Sequence, residues 1–149
     1  MSAGKFCNRE VVFVEKSAGI PEIARLMREY HVGDLIVVEE RAGRRIPIGI
    51  VTDRDVVIEV LAESVDLEGV TAGDVMSFEL VTAREDDDLF DTIKAMRAKA
   101  VRRIPVVDTG GALVGILSVD DLLDIFAEHL TDLAALVRRE QTREQRQRP

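Results

Sequence analysis

The feature that most constrains this chain is that it carries the same pattern twice. Slid against itself, the sequence holds a constant offset of sixty-nine residues from Cys7/Met76 through Glu39/Asp108, matching Val12 with Val81, Met27 with Met96 and Val37-Val38 with Val106-Val107. The offset drops to sixty-six from Gly49/Gly115 onward, because the first copy has three extra residues in the connection between Glu40 and Ile48. Both copies end alike, Gly49-Ile50-Val51-Thr52-Asp53-Arg54-Asp55 and Gly115-Ile116-Leu117-Ser118-Val119-Asp120-Asp121. A repeat of about sixty residues buries too little apolar surface to stand alone, so two copies sharing one core is the expected arrangement.

Periodicity sets the order of elements within each copy. In the first, Val11–Val14 reads as a strand, Ile20–Tyr30 as an amphipathic helix with Pro21 in its first turn, Leu35–Val38 as a buried strand, and Ile48–Val51 as its return through a turn at Gly43. A helix face follows at Val56, Val57, Val60 and Leu61. The second copy repeats this with strand Leu80–Thr82, helix Leu89–Lys99, strands Ile104–Val107 and Leu113–Leu117, and helix Asp120–Leu130. The fold expected is mixed α/β: two β-α-β-β-α repeats, residues 6–64 and 71–130, packed with pseudo-twofold symmetry, then a polar tail at 131–149 that is frayed or disordered.

Composition excludes several functions. A net charge of −8 and a pI near 4.8 run against a dedicated nucleic-acid binder, which needs cations on its phosphate-facing surface. Cys7 is the single cysteine, so neither an intrachain disulfide nor a cysteine-rich zinc site exists, which suits a reducing cytoplasm. The start of the chain has no apolar signal core, and no run approaches the roughly 20 apolar residues a membrane-spanning helix requires. With two histidines, one cysteine and no Gly-rich phosphate loop, no nucleophile and base or metal triad stands out, so no enzyme is expected.

The two β-α-β-β-α units, the phrase Arg103-Ile104-Pro105-Val106-Val107-Asp108 and the Gly-apolar-apolar-Thr/Ser-x-x-Asp endings make the chain resemble a tandem cystathionine-β-synthase (CBS) domain pair of the small stand-alone bacterial type. The resemblance covers about Phe6 to Leu130. It implies a non-catalytic regulatory module that needs no cofactor and binds an adenosyl ligand (AMP, ADP or ATP, or else S-adenosylmethionine) between the copies. It also implies a homodimer formed through helix faces such as Val56–Leu61 or Leu122, Leu123 and Phe126, and a regulated protein partner. One cleft would combine Thr52, Arg54 and Asp55 with Arg102 and Arg103, and with Met76 and Val81 from the leading strand of the other copy. The second, weaker cleft would combine Ser118, Asp120 and Asp121 with Gly33, Asp34 and Val12. On this reading the first cleft is cationic and takes a phosphate, while Asp34 and Asp120 make the second acidic.

Plainer readings stand beside these. Thr52-x-x-Asp55 is also an ordinary helix capping box, a pattern that recurs at Thr71–Asp74 and Thr82–Glu85. Arg102 and Arg103 are equally a solvated pair ahead of a buried strand. The acids Glu85 to Asp88 fit the start of the helix at Leu89, and His31 fits the end of a helix. Met27 and Met96 read as core, and Cys7 as the filler of an apolar niche. The competing function is a protein-interaction module whose clefts bind nothing; a third is nucleic-acid binding through the Arg-rich tail and Arg44-Arg45.

Overall fold

The computed structural model describes residues 1–148. The chain divides into two compact units, Met1–Leu117 and the segment from Ser118 onward. The first unit carries two three-stranded sheets, one per repeat.

In the first repeat, α1 (Ala3–Phe6) leads to β1 (Phe13–Glu15), α2 (Ile20–Tyr30), β2 (Asp34–Arg41) and β3 (Arg44–Thr52). β1 runs parallel to β2, and β2 pairs antiparallel with β3. The β2–β3 hairpin turns on Ala42 (φ 52°) and Gly43 (φ 75°), the two successive positive values that a primed turn needs to match strand twist. Between Val37↔Gly49 and Val38↔Pro47 the register skips Ile48, so the first repeat's longer connection is absorbed partly by a bulge in β3. The second repeat has α4 (Ala72–Val75), β4 (Ala83–Arg84), α5 (Leu89–Lys99), β5 (Arg103–Val107) and β6 (Leu113–Ser118).

Both long helices of the first unit have the bounds periodicity implied. They end on equivalent left-handed residues, His31 and Ala100, both with φ 53°. The leading strands begin later than their apolar runs. β1 starts at Phe13 and β4 at Ala83, because the parallel ladders form only where the chain passes Ile36 and Val106. Val11, Val12 and Val81 are half-buried outside those strands. The expected helix after Thr52 is a three-residue α3 (Asp53–Asp55) continuing as a π-helical stretch, Val56–Leu61, in which Val60 is buried and Leu61 exposed.

The repeats trade their leading segments. Backbone N–H groups of Ala3 and Gly4 donate to Asp87 O (2.8 Å) and Glu85 O (2.9 Å), while those of Ala72 and Gly73 donate to Ala18 O (2.7 Å) and Lys16 O (3.0 Å). The segment ahead of each repeat therefore docks on the other repeat. Ser77 N donates to Ile50 O (3.0 Å), and Asn8 exchanges bonds of 2.8 and 2.9 Å with Ile116. Ala72 and Met76 accordingly belong to the core of the first repeat, with Val14, Ile20, Ile23, Leu35, Val37, Val51 and Val60. A fully buried aliphatic side chain of this kind contributes about 1.5–3 kcal/mol, so the exchange ties the repeats together.

This docking explains the glycines that open the two matching motifs. A β-carbon at Gly49 would lie 2.5 Å from Met76 Sδ, and one at Gly115 would lie 2.4 Å from Cys7 Sγ. Cys7 and Met76, aligned by the repeat, thus do equivalent jobs on opposite repeats. Burial pushes the Cys7 thiol up, which keeps it protonated and unreactive.

The second unit is a helix, α6 (Val119–Gln147), capped by Ser118, whose side chain accepts from Asp121 N at 3.1 Å. It runs through the stretch expected to be frayed: from Val119 to Gln147 it has no Gly or Pro, and its polar end is rich in Arg, Glu and Gln, all strong helix formers. No helix among the described residues is long and apolar enough to cross a membrane.

Candidate ligand-binding site

Thr52 is the last residue of β3 and caps α3. Its backbone N–H donates to Asp55 Oδ2 (2.9 Å), and Asp55 N donates back to Thr52 Oγ1 (3.1 Å), a reciprocal capping box. The plain reading of the motif is therefore realised, and it also fixes the Asp55 carboxylate at the end of the strand. Thr71 and Asp74 form the second such box, with Thr71 N donating to Asp74 Oδ2 (2.9 Å); these bonds hold the Asp74 carboxyl below its usual range. Thr82–Glu85 forms none. Thr82 lies just ahead of β4, and α5 is capped instead by Asp88, which accepts from Phe90 N (3.0 Å) and Asp91 N (3.2 Å).

Beside Asp55 lies a cleft of about 370 Å³ lined by Asp55, Glu59, Val65, Val70, Asp74, Val75, Met76 and Ser77. Two of the expected residues, Asp55 and Met76, meet there. The others in the lining escaped sequence reasoning because Val65 and Val70 stand in what reads as a linker, and because Asp74 and Ser77 reach the first repeat only through the exchange of leading segments. The pattern did hold one signal: Ser77 follows Met76 at the place where Asn8 follows Cys7. Chemically, the cleft offers an apolar wall and three carboxylates that accept hydroxyl or amino donors. No arginine lines it.

The expected cations stand elsewhere. Arg103 forms an ion pair with Asp34, whose carboxylate is buried, and the two residues are sixty-nine positions apart, the offset of the repeat itself. Equivalent positions of the two repeats thus face each other with opposite charge. Burial pushes the Asp34 carboxyl up, Arg103 pulls it down, and Asp53 adds a smaller upward push. Asp34 is also the β-ladder partner of Thr52, and Gly33 O accepts from Asp53 N at 2.9 Å. Hence Gly33, Asp34, Thr52 and Arg103, assigned by the resemblance to two different clefts, lie at one place in the first unit. Arg54 and Arg102 are exposed. Of the other arginines, Arg44 pairs with Asp108 across the repeats, and Arg45 sits 4.5 Å over the Phe13 ring.

Ser118, Asp120 and Asp121 belong to the second unit. There Asp121 N donates to Ser118 Oγ at 3.1 Å, the counterpart of the Asp55 N–Thr52 Oγ1 bond, and the Ser118 hydroxyl donates to Asp121 Oδ2 at 2.7 Å. Among the described residues no group of three or more His, Cys, Asp and Glu side chains is arranged to hold a metal ion.

The CBS domain pattern matches residues 3–62 and 72–128. An uncharacterised protein of Methanopyrus kandleri is 36% identical over 125 residues, covering 84% of this chain and 62% of that protein, so the match spans less than two thirds of the relative's length. CBS domain-containing protein YhcV of Bacillus subtilis is 34% identical over 113 residues, 76% of each chain. A CBS domain protein from Pyrobaculum aerophilum, solved in complex with AMP, superposes with a TM-score of 0.71 at 26% identity, covering 82% of this chain and 90% of that one. With both repeats matched and the reciprocal docking of their leading segments in place, the chain belongs to the CBS domain family.

Proposed function

We propose that the chain is a non-catalytic regulatory module that binds an adenosyl ligand beside the Thr52–Asp55 capping box. The observation that carries this reading is the cleft at Asp55, where one repeat's motif acid meets the other repeat's Met76-Ser77 across an apolar wall. Its volume lies in the range of small-molecule sites. Asp55 supplies acceptors for ribose hydroxyls, and Val65, Val70, Val75 and Met76 supply a surface for a base. The Pyrobaculum relative solved with AMP supports the ligand class. Glu59 and Asp74 in the lining disfavour a highly charged phosphate tail, so AMP fits this cleft better than ADP or ATP, and the sulfonium of S-adenosylmethionine fits the same charge. Arg54, Arg102 and Arg103 would meet a phosphate only from outside the lining, with Arg103 exchanging part of its contact with Asp34.

Regulation follows if ligand affinity differs between two arrangements of the protein. Mass spectrometry of the small molecules that co-purify with native protein tests the class: an adenosyl compound is expected, and recovery of none from well-folded protein counts against it.

The second reading, an interaction module with empty clefts, draws on the exposed apolar residues Val57, Ile58 and Leu61 of the π-helical stretch. This face also suits a homodimer. If nucleotide affinity is absent, or indifferent to Asp55→Ala and Arg103→Ala, this second reading holds.

A further inference from the structure

α6 continues well past residue 128, where the CBS pattern ends. Along it Leu123, Phe126, Leu130, Leu133 and Val137 recur at alternating spacings of three and four, the heptad spacing of a helix that packs along another helix. Leu123, Leu130, Leu133 and Val137, with Leu136 beside them, are between 53% and 66% exposed, more than solitary surface leucines would explain. Ala127 and Ala134 flank the seam and allow close approach of a second backbone.

Charge says what covers this face. From Val119 to Asp132 the helix carries Asp120, Asp121, Asp124, Glu128 and Asp132 and neither Lys nor Arg; from Arg138 to Gln147 it carries four arginines against Glu140 and Glu144, with Arg148 just past its end. A parallel pair of such helices sets acid beside acid and arginine beside arginine. An antiparallel pair lays the acidic half of each along the basic half of the other, and the helix macrodipoles then oppose favourably as well. The polarity is self-complementary, as a twofold contact requires.

We propose that α6 is a self-association helix: two copies of this chain pair antiparallel across the Leu130–Val137 part of the seam, in the register that sets Asp124 beside Arg143 and Glu128 beside Arg139. This contact lies largely outside the CBS repeats and is separate from any dimer made by the Val57–Leu61 face. It also accounts for the arginine-rich end without nucleic acid.

Spin labelling of Gln145→Cys in a Cys7→Ala background tests it, with one label per full-length chain. Antiparallel pairing that sets Asp124 beside Arg143 and Glu128 beside Arg139 is centred near Leu133 and places two such labels about 35 Å apart, from about 1.5 Å of rise per residue on each side. That intermolecular distance should vanish in Leu130→Glu/Leu133→Glu, whose altered side chains are exposed in the single chain and so leave its fold intact. A distance of about 10–20 Å, the value for parallel helices in contact, overturns the proposal. So does a distance indifferent to the double substitution, or a full-length chain that sediments as a monomer, including one that instead binds anionic vesicles or nucleic acid.

Discussion

Gly49→Ala probes the exchange of leading segments most sharply. The added methyl would stand 2.5 Å from Met76 Sδ, 2.9 Å from Met76 Cγ and 2.9 Å from the Ser77 carbonyl, so the Met76 side chain must leave its place. Met76 is 6% exposed and part of the first repeat's core, and overpacking of this kind costs about 1–3 kcal/mol. Met76→Ala alone empties the same space and costs about 2–5 kcal/mol. Were the two effects independent, the double variant would lose about 3–8 kcal/mol, enough to unfold many proteins of this size. Because Met76→Ala removes two of the three close contacts and leaves the one with the Ser77 carbonyl, the double variant should lose less than the sum, with a coupling of up to about 3 kcal/mol. Urea unfolding of the four proteins, analysed with a common slope, measures that coupling. Additive losses would refute the docking of the second repeat's leading segment on β3. Gly115→Ala with Cys7→Ala forms the matching cycle on the other repeat and should couple with the same sign.

Two further outcomes follow from the ion pair and the caps. Arg103→Ala leaves the buried Asp34 carboxylate without its guanidinium and should cost about 1–3 kcal/mol by denaturant melts, part of which Asp34→Asn restores in the double variant. A carboxyl raised in the folded state contributes stability that is full below its unfolded value and is lost as pH rises through the folded one. The deficit of Arg103→Ala, in which Asp34 rises further, should therefore shrink toward pH 4 and grow toward pH 7. Asp74 is lowered by its bonds to Thr71, so its contribution is present above the ordinary carboxylate range and lost as pH falls through its folded value. Thermal melts should show Asp74→Asn less stable than the parent at pH 7 and level with it once Asp74 is protonated.

The repeat itself was the most legible part of the sequence, because periodicity and offset report local structure. Helices Ile20–Tyr30 and Leu89–Lys99 were readable to the residue, since Pro21 and the apolar spacing mark them. Less legible was anything decided by a partner distant in sequence. Val11–Val14 and Leu80–Thr82 have the composition of strands, yet pairing with Ile36 and Val106 starts the ladders at Phe13 and Ala83. Arg103 and Asp34 read as members of separate clefts, because charge in a sequence carries no sign of which opposite charge it will face. The lining at Glu59, Asp74 and Ser77 was hidden for the same reason: it exists only once the leading segment of the second repeat lies on the first. The polar end of α6 offered no apolar stripe, and there the helix-forming residues Arg, Glu and Gln were the signal to read.

In the proposed function Asp55 is a ligand-holding acid as well as a cap, and titration calorimetry with AMP, ADP, ATP and S-adenosylmethionine addresses that directly. The parent should bind at least one of them. Asp55→Ala should lose affinity at least tenfold while losing only the ~0.5–2 kcal/mol of stability that a helix cap contributes. A well-folded parent that binds none of the four, or an Asp55→Ala variant that binds as tightly as the parent, would contradict the account.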